Sequence, residues 1–136
     1  MSLIALPTNL RPVSGTLAPK PYTAAAAVTA GQFLYESTAG NAQAGDSSSE
    51  SKATIIGMAI FNADSSATVF AVQSGRYTGF SGLVAGEKYV LTDATNSGQL
   101  ELRSDQSTSD WITYCITAID TTTIEIKIEI TGAQAA

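Results

Sequence analysis

A chain of 136 residues is long enough for one two-layer hydrophobic core and too short for a second full domain. Twelve acidic against seven basic side chains give a net charge of -5, and Arg11, Lys20, Lys52, Arg76, Lys88, Arg103 and Lys127 stand singly, so no basic stripe exists to track a phosphate backbone and nucleic acid is excluded as the main partner. Charged residues make up only 14%, against roughly 25% in an ordinary soluble domain, so the polar surface must be built from Ser, Thr, Asn and Gln. Such a surface costs little to desolvate and suits docking onto another protein.

All four prolines, Pro7, Pro12, Pro19 and Pro21, fall at the start of the chain. Each removes a backbone donor and pushes its predecessor toward extended conformations. Residues 1–21 therefore read as an extended N-terminal arm, expected to dock on a neighbouring subunit or surface, ahead of an all-β domain over residues 22–136. The start of the chain lacks both a basic segment and a long apolar core, so no signal peptide is expected. No apolar run approaches the ~20 residues that a bilayer requires, and no membrane partner is expected.

After the arm, the four alanines of Ala24 to Ala27 are too short a run to nucleate a helix, and Thr23, Val28 and Gly31 favour strand and turn. Gln32 to Glu36 forms a strand with Phe33 and Tyr35 on one face and Leu34 on the other, and Asn41 to Ala44 is its hairpin partner across Gly40. Asp46 to Ser51 is a polar loop. Thr54 to Phe61 is apolar on both faces, as a doubly buried strand is, and Ala67 to Ser74 returns beside it after a turn at Asn62 to Ser66. Gly75, Gly79, Gly82 and Gly86 are read as tight turns. Lys88 to Leu91 and Gln99 to Arg103 are short strands separated by a loop over Asp93 to Gly98. Trp111 to Ile119 and Thr123 to Ile130 close the chain, and in the second Ile124, Ile126, Ile128 and Ile130 alternate with Glu125, Lys127 and Glu129, which predicts one buried and one wet face. The fold class expected is all-β: a single antiparallel β-sandwich or small β-barrel of ~8 to 10 strands, with the arm appended.

The residues needed for familiar chemistry are missing. No histidine occurs, which removes the usual proton shuttle of a hydrolytic triad and, with a single cysteine, the usual zinc ligands. Cys115 lies in an apolar strand and reads as a buried, inert thiol. Asp93 to Gly98 lacks the later glutamate of a calcium loop and reads as a solvated turn. Glu125 and Glu129 share a strand face but lie ~13 Å apart at strand spacing, too far to act on one glycosidic bond. The glycines of Gly75 to Gly82 precede no helix that could receive a phosphate. No enzyme activity, no metal and no cofactor are therefore expected. Phe33, Tyr35, Phe61, Phe70, Tyr89 and Trp111 are assigned to core packing. The candidate protein-interface residues are Leu3, Leu6, Pro7, Leu10, Arg11, Pro12 and Leu17 of the arm, with Tyr22, Tyr77 and Phe80 as aromatics at element ends or in loops.

Four segments in order, Thr29-Ala30-Gly31-Gln32-Phe33-Leu34-Tyr35 within Tyr22 to Tyr35, Ile55-Ile56-Gly57-Met58-Ala59, the stretch from Gln73 to Leu83 and the stretch from Ala85 to Asp93, give the chain a pattern that resembles the capsid decoration, or cement, proteins of tailed bacteriophages. The resemblance covers roughly residues 20 to 95. It implies a non-enzymatic virion structural protein, made in the host cytoplasm, whose partners are the major capsid protein and itself. Such proteins bind the outer surface of an expanded icosahedral head, often as trimers at local symmetry axes, and brace it against the packaged DNA. The competing expectations are a receptor- or carbohydrate-binding module of a tail or fibre, and a ring-forming subunit of a tail tube or baseplate.

Overall fold

The computed structural model describes residues 3–14 and 18–136 and is all-β. Its strands are β1 (Arg11–Ser14), β2 (Lys20–Ala24), β3 (Phe33–Thr38), β4 (Asn41–Ala44), β5 (Ile55–Ala59), β6 (Thr68–Val72), β7 (Arg76–Thr78), β8 (Lys88–Leu91), β9 (Leu100–Leu102), β10 (Trp111–Ala118) and β11 (Thr123–Gln134). Six of them form a sheet in the order β1-β7-β11-β10-β8-β9, and the other five close into a barrel in the order β2-β4-β3-β5-β6. The expected fold class is the observed one, with both a barrel and a sheet in a single chain.

One pair departs from the expected antiparallel pattern: β2 and β4 run parallel, with Thr23 opposite Asn41 and Ala24 opposite Ala42. The cause is arithmetic. Strand directions cannot alternate all the way round a ring of five, so at least one neighbouring pair must be parallel. The segment Gly75 to Gly82 also differs from expectation, because Arg76–Thr78 is a strand whose Tyr77 pairs with Pro12 on one side and Ile124 on the other. Glycine density had suggested turns, yet the glycines flank a three-residue ladder.

Alternation along the barrel strands separates two cores. Inward, Ala24, Ala42, Ala59 and Ala71 fill the lumen together with Tyr22, Val28, Leu34 and Val69. Outward, Phe33, Ile55, Met58 and Val72 meet Tyr77, Tyr89, Leu91, Leu100, Cys115, Ile116, Ile124 and Ile126 of the sheet region. Barrel diameter grows with strand number, and eight strands leave room only for side chains, so a five-stranded lumen must be filled largely by small ones. The alanines are therefore the consequence of closure at five strands. In β11 the burial fades along the strand: Ile124 and Ile126 are buried, Ile128 is half-buried against the core and Ile130 is 44% exposed.

The N-terminal segment lies along its own domain. Ile4 is buried and its N–H donates to the Leu100 carbonyl at 2.8 Å, adding a bridge beyond β9. Farther on, two glycines make notches for it. A side chain at Gly31 (φ +93°) would overlap the Pro7 ring, and one at Gly79 (φ +116°) would meet the Asn9 carbonyl oxygen at 2.5 Å. β1 then pairs with β7 as the sheet's edge, where Pro12 lacks a donor and the register shifts between Pro12 and Ser14. A proline and a bulge on an outer strand discourage further strand addition.

Candidate functional site

An apolar strip is the surface feature that the packing leaves unexplained. β5 ends at Ala59, and the chain continues beside β6, with the Ile60 N–H donating to the Phe70 carbonyl at 3.1 Å. Phe70 has Val69 and Ala71 as neighbours, both of which point into the lumen, so its ring stands on the barrel's outer wall. Val72 shares that wall and is covered by the sheet, whereas Phe70 lies beyond the cover and is 37% exposed. On its other side Phe70 is opposite Pro21 of β2. Phe61 is 63% exposed and, with Leu10, Pro12, Ile60 and Tyr77, lines a small hollow at the seam between barrel and sheet edge. Val13 is exposed one residue further along β1.

These positions correct two sets of expectations. Phe61 and Phe70 were assigned to the core and are on the surface, whereas Trp111, half-buried, packs against the core as expected. Conversely Tyr22, Tyr77 and Phe80, expected as interface anchors, are buried at 7%, 2% and 4% exposure. Tyr22 fills the lumen, and Tyr77 and Phe80 belong to the layer between barrel and sheet. Of the three, only Tyr77 borders a surface feature, as part of the wall of the hollow beside Phe61. Among the arm candidates, Arg11 and Pro12 are exposed and Leu3, Leu6, Pro7 and Leu10 are half-buried against their own domain; Leu17 lies outside the described residues.

Elsewhere the polar side chains named below are engaged by other groups of the protein. The outer face of the sheet carries Arg76 at 3.4 Å from Glu125, Lys127 at 4.0 Å from the same carboxylate, and Lys88 over the Tyr114 ring. Glu125 is thus held by two cations on a solvated face. A shallow polar cleft collects Gln32, Tyr35, Gln43, Asp46, Lys52 and Ser97. In it Gln43 Nε2 donates to the Tyr35 hydroxyl at 2.7 Å, Gln32 Nε2 donates to the Ser97 carbonyl at 3.0 Å, and Gln32 Oε1 accepts from the Thr29 N–H at 2.8 Å. Cys115 is fully buried and burial pushes its thiol pKa up, away from the reactive thiolate. Among the described residues no group of three or more His, Cys, Asp or Glu is placed to hold a metal ion.

Comparison of the sequence with protein-family models and with curated proteins gives no match.

Proposed function

We propose that this chain is a non-enzymatic virion structural protein that binds the outer surface of a phage capsid, docking through the strip formed by Phe61, Phe70, Ile60, Pro12 and Leu10. The observation that carries the docking is the exposure of Phe61 and Phe70, joined through Ile60, on a chain whose other large side chains are mostly buried. A contiguous apolar patch with a polar surround marks an interaction surface, and aromatic rings are the residues that most often anchor one. The capsid as partner comes from the ordered resemblance to decoration proteins. Bracing needs no chemistry: a protein that binds only the assembled lattice stabilises it by mass action, and contact with several subunits multiplies the effect.

The glycan-binding alternative has less support. Trp111, the single tryptophan, is half-buried, and the amides of the polar cleft already bond to the protein. The test adds purified protein to phage heads that lack it, then heats loaded and bare heads and measures DNA release. Loaded heads are expected to hold their DNA to a higher temperature. Equal release at saturating occupancy would remove the bracing role, and failure to bind heads together with binding to bacterial surface glycans would favour the receptor-binding reading.

A further inference from the structure

At the far edge of the sheet from β1, one carboxylate is buried on the side away from the main core. Glu101 is the middle residue of β9 and lies opposite Val90 of β8. Its neighbours Leu100 and Leu102 pack into the core, so Glu101 projects from the opposite face. That face would be open to water but for two coverings. Segment 103–110 folds back over it: Gln106 Nε2 donates to the carbonyls of Leu91 and Trp111 at 3.3 and 3.4 Å, and the turn is tied by Ser107 N–H to Asp110 Oδ2 at 3.0 Å. From the other side Ser47 donates its N–H to the Thr92 carbonyl at 2.9 Å and accepts the Trp111 N–H at 2.8 Å. Under this cover Val90 and Thr92 are fully buried and Glu101 is 2% exposed.

The surroundings do not suit an ionised carboxylate. Asp110 before β10, Asp93 after β8 and Asp105 in the turn Arg103–Asp105 all add negative potential at Glu101. The cations nearest in sequence on these elements are Lys88 of β8, which lies over the Tyr114 ring, and Arg103. Burial pushes Glu101 up to about 7 from an ordinary 4.5, and the three aspartates reinforce the shift. The corner also keeps polar atoms without partners, Gln106 Oε1, Ser47 Oγ and Thr92 Oγ1, so the cover is not locked by a complete hydrogen-bond set.

We propose that Glu101 and segment 103–110 form a proton-operated latch, seated while Glu101 is protonated and loosened as Glu101 ionises. Lifting the segment returns the carboxylate to water, so the open state binds its proton with ordinary affinity and the closed state binds it more tightly. Linkage sets the sign. The proton's stabilisation of the closed state is complete below about 4.5, declines as pH rises toward about 7 and is gone above that. The opening equilibrium therefore grows roughly tenfold per pH unit across that window and then levels.

The experiment is amide exchange on the full chain between pH 5 and pH 8, corrected for intrinsic exchange rates, following Gln106, Asp110 and Trp111. Their protection is expected to fall roughly tenfold per unit to about pH 7 and then flatten, with barrel amides better protected throughout. Glu101→Gln, which keeps the shape without the charge, should give a flat profile. A flat wild-type profile, an unchanged slope in Glu101→Gln, or exchange of the segment only together with the barrel each overturns the latch. Should Glu101→Gln fail to fold, direct NMR titration of the Glu101 carboxyl in the wild-type protein decides: a midpoint near 4.5 removes the proposal, and one near 7 with the sloping exchange profile upholds it.

Discussion

The barrel lumen and the layer between barrel and sheet draw on adjacent residues of the same strands, yet they tolerate different side chains. Leu34, Ala59 and Ala71 point into the lumen, while their neighbours Phe33, Met58 and Val72 point into the layer. The lumen has a size fixed by strand count, so four alanines share it with Tyr22, Val28, Leu34 and Val69. The layer has a spacing that adjusts to its contents, so it carries most of the large and aromatic residues. Hydropathy alone records both as apolar; closure geometry distinguishes them.

The largest effect is expected where a charge enters the layer. Ile126 is 4% exposed, opposite Ile116, and its N–H donates to the Gly75 carbonyl at 3.0 Å. Ile126→Asp would place a carboxylate in the larger core without a partner, at a cost of about 3 to 5 kcal/mol, a large share of the ~5 to 15 available to a domain. Urea unfolding measures it. A midpoint unchanged from wild type would mean that the β10–β11 register is wrong by one residue, since that slip exchanges the two faces.

Next comes the tether at the start of the chain. Ile4 caps the same layer from beyond β9, so Ile4→Ala should cost about 2 kcal/mol, at the low end for a buried isoleucine because the site lies near the surface and can relax. An unchanged melting temperature would show that residues 3–10 are not held on the domain in solution.

The comparison between the two cores is sharpest at one pair of neighbours. Ala59→Leu inserts volume into the lumen opposite Ala71 and should cost about 1 to 3 kcal/mol, whereas Met58→Leu conserves volume in the layer and should cost less than about 1.5 kcal/mol. If Ala59→Leu proved the milder of the two, the lumen would be wider than five closed strands allow.

Much of this architecture was legible in the chain. The hairpin across Gly40, the doubly buried strand at Ile55–Ala59 and the final pair of strands follow from alternation and turn residues, because those signals are local. Barrel closure was not legible, since pairing of β2 with β4 and β6 depends on contacts far apart in sequence. The surface strip was missed for a related reason. Parity puts Phe70 and Val72 on the same wall, but which of the two the sheet covers depends on where the sheet ends. The anchors Tyr22, Tyr77 and Phe80 failed in the opposite direction: each flanks turn-forming residues, and tertiary packing drew each inward. Glu101 gave no signal, because one acid between two leucines looks like an ordinary half-wet strand.

The smallest effect on stability is expected at the strip itself, and there stability and binding should part company. Phe61 is 63% exposed, so Phe61→Ser should shift unfolding by no more than about 0.5 kcal/mol. Phe70→Ser, at 37% exposure, should cost somewhat more but leave the fold intact. If these rings anchor a partner surface, each truncation should cost about 2 kcal/mol of binding, close to a thirtyfold loss in affinity for phage heads. Because the two rings are joined through Ile60, their effects should not add, and the double variant should lose less than the sum of the singles. Lys127→Ser on the outer face of the sheet serves as the control, since it removes a solvated charge that is not part of the strip and should leave head binding unchanged. Equal binding by all of these variants would move the docking surface off the barrel wall, whereas a loss confined to Phe61 and Phe70 would show that the rings left outside both cores are the ones the partner buries.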